Sequence, residues 1–202
     1  VYAEVYLPVV DTLDVTLAVR HDRYDTFGGT TNPKYSFKWQ PIESLAFRGA
    51  YSTGFKVPEF TKLFAGVNRV DYFGRDLADP ASCPGGGANA AVPGCELIQP
   101  VIITGGKIDL QPEESEQMSL GLVYAPNSRF NASLDWWEIE RTNTIRSPSL
   151  DTLIDNYELF SKNWIRDASG KVIEIDRRFI NSGGTLMRGV ELDANLIGEL
   201  AG

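Results

Sequence analysis

The sequence predicts an all-β fold: part of a transmembrane, antiparallel, up-and-down β-barrel with long extracellular loops. Apolar and polar residues alternate with a period of two, which a pleated strand presents and a helix does not. The alternating stretches are long, and short connections between them alternate with long ones. Outer-membrane barrels sort their connections in this way, with short periplasmic turns and long extracellular loops, whereas Greek-key sandwiches have no reason to do so.

The alternation is clearest in a hairpin between Glu113 and Trp137. Its first strand places four apolar side chains on one face: Met118, Leu120, Leu122 and Tyr124. Its return strand places four more on one face: Phe130, Ala132, Leu134 and Trp136. The connecting Ala125–Ser128 segment contains Pro and Asn, two residues that favour tight turns. The sequence therefore predicts a hairpin with one apolar and one polar face.

The same alternation predicts further strands, which are Val1–Val9, Leu13–Tyr24, Lys34–Gln40, Ser44–Phe55 and a last region from about Val172 to Leu196. Several of these reach the roughly 9–11 residues that a tilted spanning strand needs, against about 5–6 in globular sheets. We expect one parity to face lipid in the parent protein, with these residues: Leu13, Val15, Leu17, Leu45, Phe47, Leu120 and Leu122.

The connections divide into two classes. Turns near Asp11, Ile42 and Asn127 are short, and those between Tyr24 and Pro33, Phe55 and Glu113, and Asn143 and Val172 are predicted to be long. We therefore interpret residues 1–202 as a portion of one barrel domain, residues 56–112 as a long extracellular loop with both cysteines, and residues 144–171 as a second such loop. In the first loop, the sequence predicts one helical turn with Pro58 at the first helical position. In the second loop, the sequence predicts a short helix over Leu150–Tyr157 with Ser149 as its N-cap.

Composition excludes several classes of function. The formal net charge of -8 argues against a nucleic-acid partner, because phosphates would be repelled. No apolar run approaches the roughly 20 residues of a spanning helix, and Val1 does not begin a signal peptide, so we expect a fragment. The single histidine, His21, cannot supply a convincing Ser-His-Asp arrangement. We therefore expect no enzyme and no cofactor.

The two cysteines, Cys83 and Cys95, flank a Pro/Gly-rich stretch. A loop disulfide in an oxidising compartment explains them better than a metal site, because the only histidine lies on a different strand. The aspartates between Arg69 and Asp79 match no EF-hand spacing and are expected to be solvated. The sequence therefore predicts a Cys83–Cys95 disulfide and no metal.

Several short blocks resemble, in order, the barrel of TonB-dependent outer-membrane receptors. These blocks are Val19–Tyr24, Asn32–Lys34, Trp39–Pro41, Phe47–Pro58, Leu110–Ser115, and Asn181 with Arg188–Leu192. Gly54–Pro58 reads Gly-Phe-Lys-Val-Pro where the family usually has Gly-Phe-Arg-Ala-Pro, a mild departure. The hypervariable stretches fall between the blocks, in the predicted loops.

The resemblance implies a location in the outer membrane of a Gram-negative bacterium and a plugged parent barrel of about 22 strands, of which this chain would supply about seven. It implies uptake of a scarce nutrient (a siderophore, haem, a vitamin, an oligosaccharide or a peptide), energised by the TonB complex through a plug. The plug and the TonB box are absent from this sequence, so no gating residue is carried over. The remaining partners are the nutrient ligand and outer-membrane lipid.

Loops on a rigid barrel are where specificity is placed, and aromatic and arginine side chains give contact area and charge recognition. On this ground the candidate ligand contacts are Arg69, Tyr72, Phe73, Arg75 and Trp164. One alternative remains open from the sequence: a soluble or cell-surface β-sandwich binding module, whose apolar faces would meet each other in a closed core.

Overall fold

A computed structural model describes residues 1–198, so the last four residues of the predicted barrel portion lie outside the described part. The chain divides into two compact units. The sheet unit comprises Val1–Val57, Gln111–Thr144 and the residues from Gly183 onward, and the loop unit comprises Pro58–Leu110 and Ile145–Ser182. Within residues 1–198, no helix combines the length and the apolar character needed to cross a membrane.

Short helices and strands of very different lengths make up the chain. The strands are β1 (Tyr2–Val10), β2 (Leu13–Tyr24), β3 (Gly28–Ile42), β4 (Leu45–Lys56), β5 (Asn68–Asp71), β6 (Val101–Thr104), β7 (Glu113–Asn127), β8 (Phe130–Thr142), β9 (Ile145–Arg146), β10 (Trp164–Arg166), β11 (Val172–Asp176), β12 (Ile180–Asn181) and β13 (Thr185–Leu196). The helices are α1 (Phe60–Phe64), α2 (Leu150–Asp155), α3 (Tyr157–Phe160) and a 3-10 turn at Ser161–Asn163.

The sheet unit contains one antiparallel sheet of seven strands in the order β1-β2-β3-β4-β7-β8-β13. Every strand pairs with the next one along the chain within this unit, which confirms the up-and-down arrangement expected from the alternation. The short β9–β12 pair and the sheet of β10, β11, β6 and β5 belong to the loop unit.

Strand register joins the apolar parities of neighbouring strands into one continuous face. Leu17 lies opposite Tyr35, Tyr35 opposite Tyr51, and Tyr51 opposite Met118. All seven residues predicted to face lipid lie on this side. Stacked ring pairs lie at two levels of it, Tyr35 with Tyr51 and Trp39 with Phe47, as interfacial aromatic belts do.

The apolar face is exposed, which separates the barrel portion from the sandwich. Leu120 is 50% exposed and Leu192 is 75% exposed. A sandwich would bury these side chains against a second sheet. The sandwich alternative is therefore wrong.

The opposite face is polar and carries charges that are paired across strands. Arg48 on β4 donates from Nε to Oδ1 of Asp135 on β8 at 2.9 Å and from Nη2 to Oδ2 at 2.8 Å. Gly121 of β7 lies between them, and a Cβ there would come within 2.9 Å of the Arg48 Nε. The glycine therefore makes room for an ion pair that spans three strands.

The β2–β3 connection is much shorter than predicted. The two strands continue to pair as far as Tyr24 opposite Gly28, which leaves a turn of Asp25–Phe27. Gly28 has a φ of +76°, a conformation that glycine adopts readily. The glycine-rich stretch interpreted as a loop is therefore a hairpin end, and only the β4–β7 and β8–β13 connections are long.

The region from Val172 to Leu196 is also not one strand region. β11 (Val172–Asp176) belongs to the loop unit, and the seventh strand of the sheet begins at Thr185. Apolar alternation alone did not separate the two, because both stretches show it.

The loop unit has a core of its own, although the sequence showed almost no periodicity there. Its four-stranded sheet has the order β10-β11-β6-β5, with β11 and β6 parallel. Six buried side chains form the core: Leu77, Ile98, Leu153, Trp164, Val172 and Ile175. Residues far apart in the chain supply them, so the core could not be read from any one stretch.

Both predicted helices are present, with one correction. α2 begins after Ser149, whose Oγ accepts a hydrogen bond from the Thr152 backbone N–H at 3.0 Å, as predicted. α1 begins at Phe60 with Glu59 as its N-cap residue. Pro58 therefore precedes the cap and does not occupy the first helical position, since the backbone at Glu59 is still extended.

Candidate functional site: the loop unit

A disulfide joins Cys83 and Cys95, as the sequence predicts, with an S–S distance of 2.01 Å. Both cysteines are buried and pack with Ala78 in a small second cluster. The enclosed segment also forms backbone hydrogen bonds, including Asn89 N to Cys95 O at 2.7 Å. The disulfide thus closes a compact loop that is also held by hydrogen bonds and packing.

Arg166 ties this disulfide-closed segment to β10. Its Nη1 and Nη2 donate to the two carboxylate oxygens of Asp79 at 2.5 and 2.8 Å. Nη2 also donates to the Tyr157 hydroxyl at 3.0 Å, and Nη1 to the Gly170 carbonyl at 2.9 Å. The hydrogen bonds from Arg166 hold the pKa of Asp79 below its usual range. The two partners are 87 residues apart, so nothing local in the sequence indicates this pair.

Four of the five candidate ligand contacts lie on or just after β5. The Arg69 guanidinium makes an ion pair with Glu174 of β11. Tyr72 donates its hydroxyl to Asp76 at 2.7 Å, a bond that raises the pKa of Tyr72, and its ring packs against the core. Both side chains are engaged within the loop unit.

Phe73 and Arg75 are different, because both project into solvent. Phe73 is 79% exposed, and Arg75 is exposed and has no hydrogen-bond or ion-pair partner among residues 1–198. An exposed aromatic ring and an uncommitted guanidinium, two residues apart, are the groups that a ligand can reach.

The fifth candidate, Trp164, lies at the opposite edge of the four-stranded sheet and is only 3% exposed. Its ring packs edge-to-face against Tyr157, with centroids 6.0 Å apart. A tryptophan buried in this way is a core residue. Its side chain supports the loop unit and is not exposed to a ligand.

The loop unit also contains a cavity of about 590 Å³ that the sequence did not predict. Its wall includes Phe64, Ile108, Lys107 and Arg178. Arg178 is held by Asp176, with Nε to Oδ1 at 3.0 Å and Nη2 to Oδ2 at 2.7 Å. Asp109 also lines the cavity, and its Oδ2 lies 3.6 Å from the Lys107 Nζ. The cavity therefore combines exposed apolar surface with two cationic side chains, each of which is paired with a carboxylate.

Two glycines allow the walls of this cavity to approach each other. The Gly106 N–H donates to the Ala65 carbonyl at 3.0 Å. A Cβ on Gly106 would lie 2.7 Å from the Ala65 nitrogen, and Gly105 has a φ of +129°. The Gly-Gly pair in the sequence was the signal that could have indicated a close backbone approach.

A family model for the β-barrel of TonB-dependent receptor-like proteins matches residues 1–199. The chain belongs to this family. Members are receptors and transporters of the outer membrane of Gram-negative bacteria and are not enzymes, so these expectations are confirmed. No curated protein matches the chain in sequence.

Solved TonB-dependent receptors share the fold. The siderophore receptor PirA from Acinetobacter baumannii is 21% identical with a TM-score of 0.68, and 96% of this chain covers 25% of that one. PirA from Pseudomonas aeruginosa is 17% identical with a TM-score of 0.60. The match covers 95% of this chain and 29% of that receptor. The third structure is a variant of the ferric enterobactin receptor PfeA from Pseudomonas aeruginosa in complex with enterobactin. It is 17% identical with a TM-score of 0.63, and the match covers 95% of this chain and 23% of that receptor. The chain thus spans about a quarter of their length.

In the TonB-dependent receptor, we expect the loop unit to lose stability in acid through Asp79. Because the folded pKa of Asp79 lies below its ordinary value, the pair with Arg166 contributes fully above about pH 4 and is lost as the pH falls through the folded pKa. Asp79→Asn should destabilise the unit by about 1–3 kcal/mol at pH 7 and flatten this acid dependence. Hydrogen exchange of residues 77–104 in the full-length receptor measures both effects. The exposed Asp155→Asn is the control, and an equal pH profile in both variants would contradict the assignment.

Proposed function

We propose that this chain is part of a receptor that takes up a ferric siderophore across the outer membrane, with energy supplied by the TonB complex through a plug domain. The exposed Phe73–Arg75 pair on a loop unit with its own core is the observation that carries the proposal. The siderophore class is supported by the names of the structural neighbours PirA and PfeA.

The loop unit is suited to ligand capture because most of it is already ordered. The Cys83–Cys95 disulfide and the Arg166–Asp79 pair hold the loops together, so little conformational entropy remains to be lost on binding. Ferric siderophores present ionised oxygens around the iron. The five N–H donors of Arg75 suit such oxygens, and the ring of Phe73 supplies apolar contact area.

The remaining parts of the chain have supporting roles in this proposal. The cavity with Lys107 and Arg178 offers apolar surface, but carboxylates already pair with both cations, so it is a weaker second contact. Arg69 and Tyr72 hold β5 and the segment after it in place through their bonds to Glu174 and Asp76. Trp164 stabilises the core of the loop unit. The polar sheet face with Arg48 and Asp135 lines the lumen through which the ligand passes, and residues 56–112 and 144–171 are extracellular.

Uptake of radiolabelled iron by cells that express the full-length receptor as their only such transporter tests this function. We expect uptake from ferric enterobactin or ferrichrome, and loss of that uptake when TonB is deleted. Haem that carries the same labelled iron and cyanocobalamin that carries radiolabelled cobalt are the comparison nutrients. Uptake of either of these, without uptake from an iron chelate, would refute the siderophore proposal while leaving energised transport intact.

For the ligand contact itself, the double variant Phe73→Ala with Arg75→Gln should weaken ligand affinity by about tenfold or more, because truncating an aromatic or arginine residue that a bound ligand covers as a hot spot costs more than about 1 kcal/mol. Half-saturation of iron uptake by the full-length receptor is the measurement. Lys162→Gln, which removes another exposed cation of the loop unit, is the matched control. Equal half-saturation in the double variant and the control would remove these two residues from the site.

A further inference from the structure

The cavity of about 590 Å³ lies beside the first residue of β5, and bonded segments of the loop unit build its walls. One wall runs from α1 to Val67, and residues 106–109 form a second wall. The Lys107 N–H donates to the Lys62 carbonyl at 2.9 Å, which joins these two walls. Arg178 forms the third side. The cavity is therefore one site within one unit.

Apolar side chains of this cavity project into solvent. Phe64 is 56% exposed, Val67 is 53% exposed and Ile108 is 74% exposed. Phe60, one turn before Phe64 on α1, is 75% exposed, and the two ring centroids are 4.7 Å apart. Leu63 of the same helix is buried. The helix thus places one apolar side chain inside and two rings outside, and contiguous exposed apolar surface of this kind marks a binding site.

The charges at the cavity are neutralised by their own neighbours. Lys107 Nζ lies 3.6 Å from Asp109 Oδ2, and Arg178 Nη2 lies 2.7 Å from Asp176 Oδ2. Within residues 1–198, no hydroxyl or amide side chain lines the cavity. An ionised group that enters therefore loses water without gaining an uncommitted cation, whereas a hydrocarbon group gains free energy from burial.

The ligand contact proposed above lies at the opposite end of β5. Val67 immediately precedes this strand, and Phe73 follows its last residue, Asp71, by two positions. The four residues of β5 span about 13 Å at the usual rise of a strand. The chelating groups of a siderophore converge on one iron atom, so the chelate is compact. Contact at both ends of β5 therefore requires an extended group that is attached to the chelate.

We propose that this cavity holds the aliphatic acyl tail of an amphiphilic ferric siderophore, whose chelate binds at Phe73 and Arg75. The tail packs against Phe64, Val67 and Ile108 and needs no hydrogen bond from them. A hydrocarbon chain suits the site better than a second chelating group, because the cavity offers apolar surface and no free charge. This inference rests on the siderophore function proposed above and narrows its substrate class.

Two iron complexes that share one chelate and differ in their tails test the tail site. N-acetyl and N-dodecanoyl ferrioxamine B carry the same hydroxamate chelate, and both are loaded with radiolabelled iron. Half-saturation of iron uptake is measured in cells that express the full-length receptor as their only such transporter. We expect the dodecanoyl complex to reach half-saturation at a concentration about tenfold or more lower than the acetyl complex, because buried methylene groups add affinity.

Variants of the cavity assign this preference for the tail. Ile108→Asn should reduce it by about fivefold or more, since a polar amide then meets the chain, and Phe64→Ser replaces this variant if it does not fold. Leu159→Asn alters an exposed leucine of α3 outside the cavity and should keep the preference. Uptake of the acetyl complex by these variants should stay within about twofold of the parent receptor, because distant sites act independently. Phe73→Ala with Arg75→Gln should weaken both complexes alike.

A photoreactive diazirine at the end of the dodecanoyl chain locates the tail on the receptor. Irradiation of the complex with the full-length receptor in lipid nanodiscs should label residues 60–67 or 106–109. Label confined to lipid or to the spanning strands would overturn the tail site, because the chain would then lie in the membrane. No uptake of the dodecanoyl complex, equal half-saturation of the two complexes, or the same preference in Ile108→Asn and Leu159→Asn would also overturn it. None of these results bears on uptake from ferric enterobactin or ferrichrome, which tests the siderophore function itself.

Discussion

Arginine in place of Leu120 is expected to destabilise the receptor in a lipid bilayer by about 2–4 kcal/mol, because a charged side chain at mid-strand would face hydrocarbon. Leu120 lies opposite Gly49 on β4 and Trp136 on β8, in the middle of the exposed apolar face. Reversible unfolding of the full-length receptor in lipid vesicles measures the free energy.

The neighbouring residue supplies the control for this prediction. Ser119 lies on the same strand but on the polar face, opposite Ala50 and Trp137. Ser119→Arg places the same charge one residue away and should cost much less, since that face lines the lumen. Equal costs at the two positions would show that the apolar face does not meet lipid.

Removal of the Cys83–Cys95 disulfide is expected to destabilise the loop unit by about 3 kcal/mol, since the bond closes a loop of only about a dozen residues and restricts the unfolded chain accordingly. The double variant Cys83→Ala with Cys95→Ala avoids a leftover thiol. Hydrogen exchange of residues 77–104 in the full-length receptor should rise, because the segment pairs with the loop-unit core through Leu77 and Ile98.

The sheet unit is the internal reference for the disulfide experiment. Exchange of β7 and β8, which belong to the sheet unit, should not change in the double variant. A non-reduced digest of the parent receptor must also show one peptide pair joined through Cys83 and Cys95. Free thiols in protein matured in the periplasm, or unchanged exchange of residues 77–104, would contradict the stabilising role.

Residue type alone predicted the candidate ligand contacts, but it did not distinguish exposed side chains from buried ones. Phe73 and Arg75 are exposed as a ligand contact requires, whereas Trp164 lies in the core. All three are residue types that binding sites favour. Burial distinguishes them, and burial depends on β10, β11 and α3 packing together, which no local pattern indicates.

The sequence by itself determined the up-and-down order of the sheet strands and their two faces, because strand alternation is a local property and each strand pairs with its neighbour along the chain. The ordered sequence blocks, and not the alternation, indicated the family. Only the tertiary structure decided the loop unit. Its parallel β11–β6 pair, its core and its Arg166–Asp79 pair all join residues from the two long connections. Such contacts are stabilised by burial and charge pairing between distant segments, so they leave no periodicity in either segment alone.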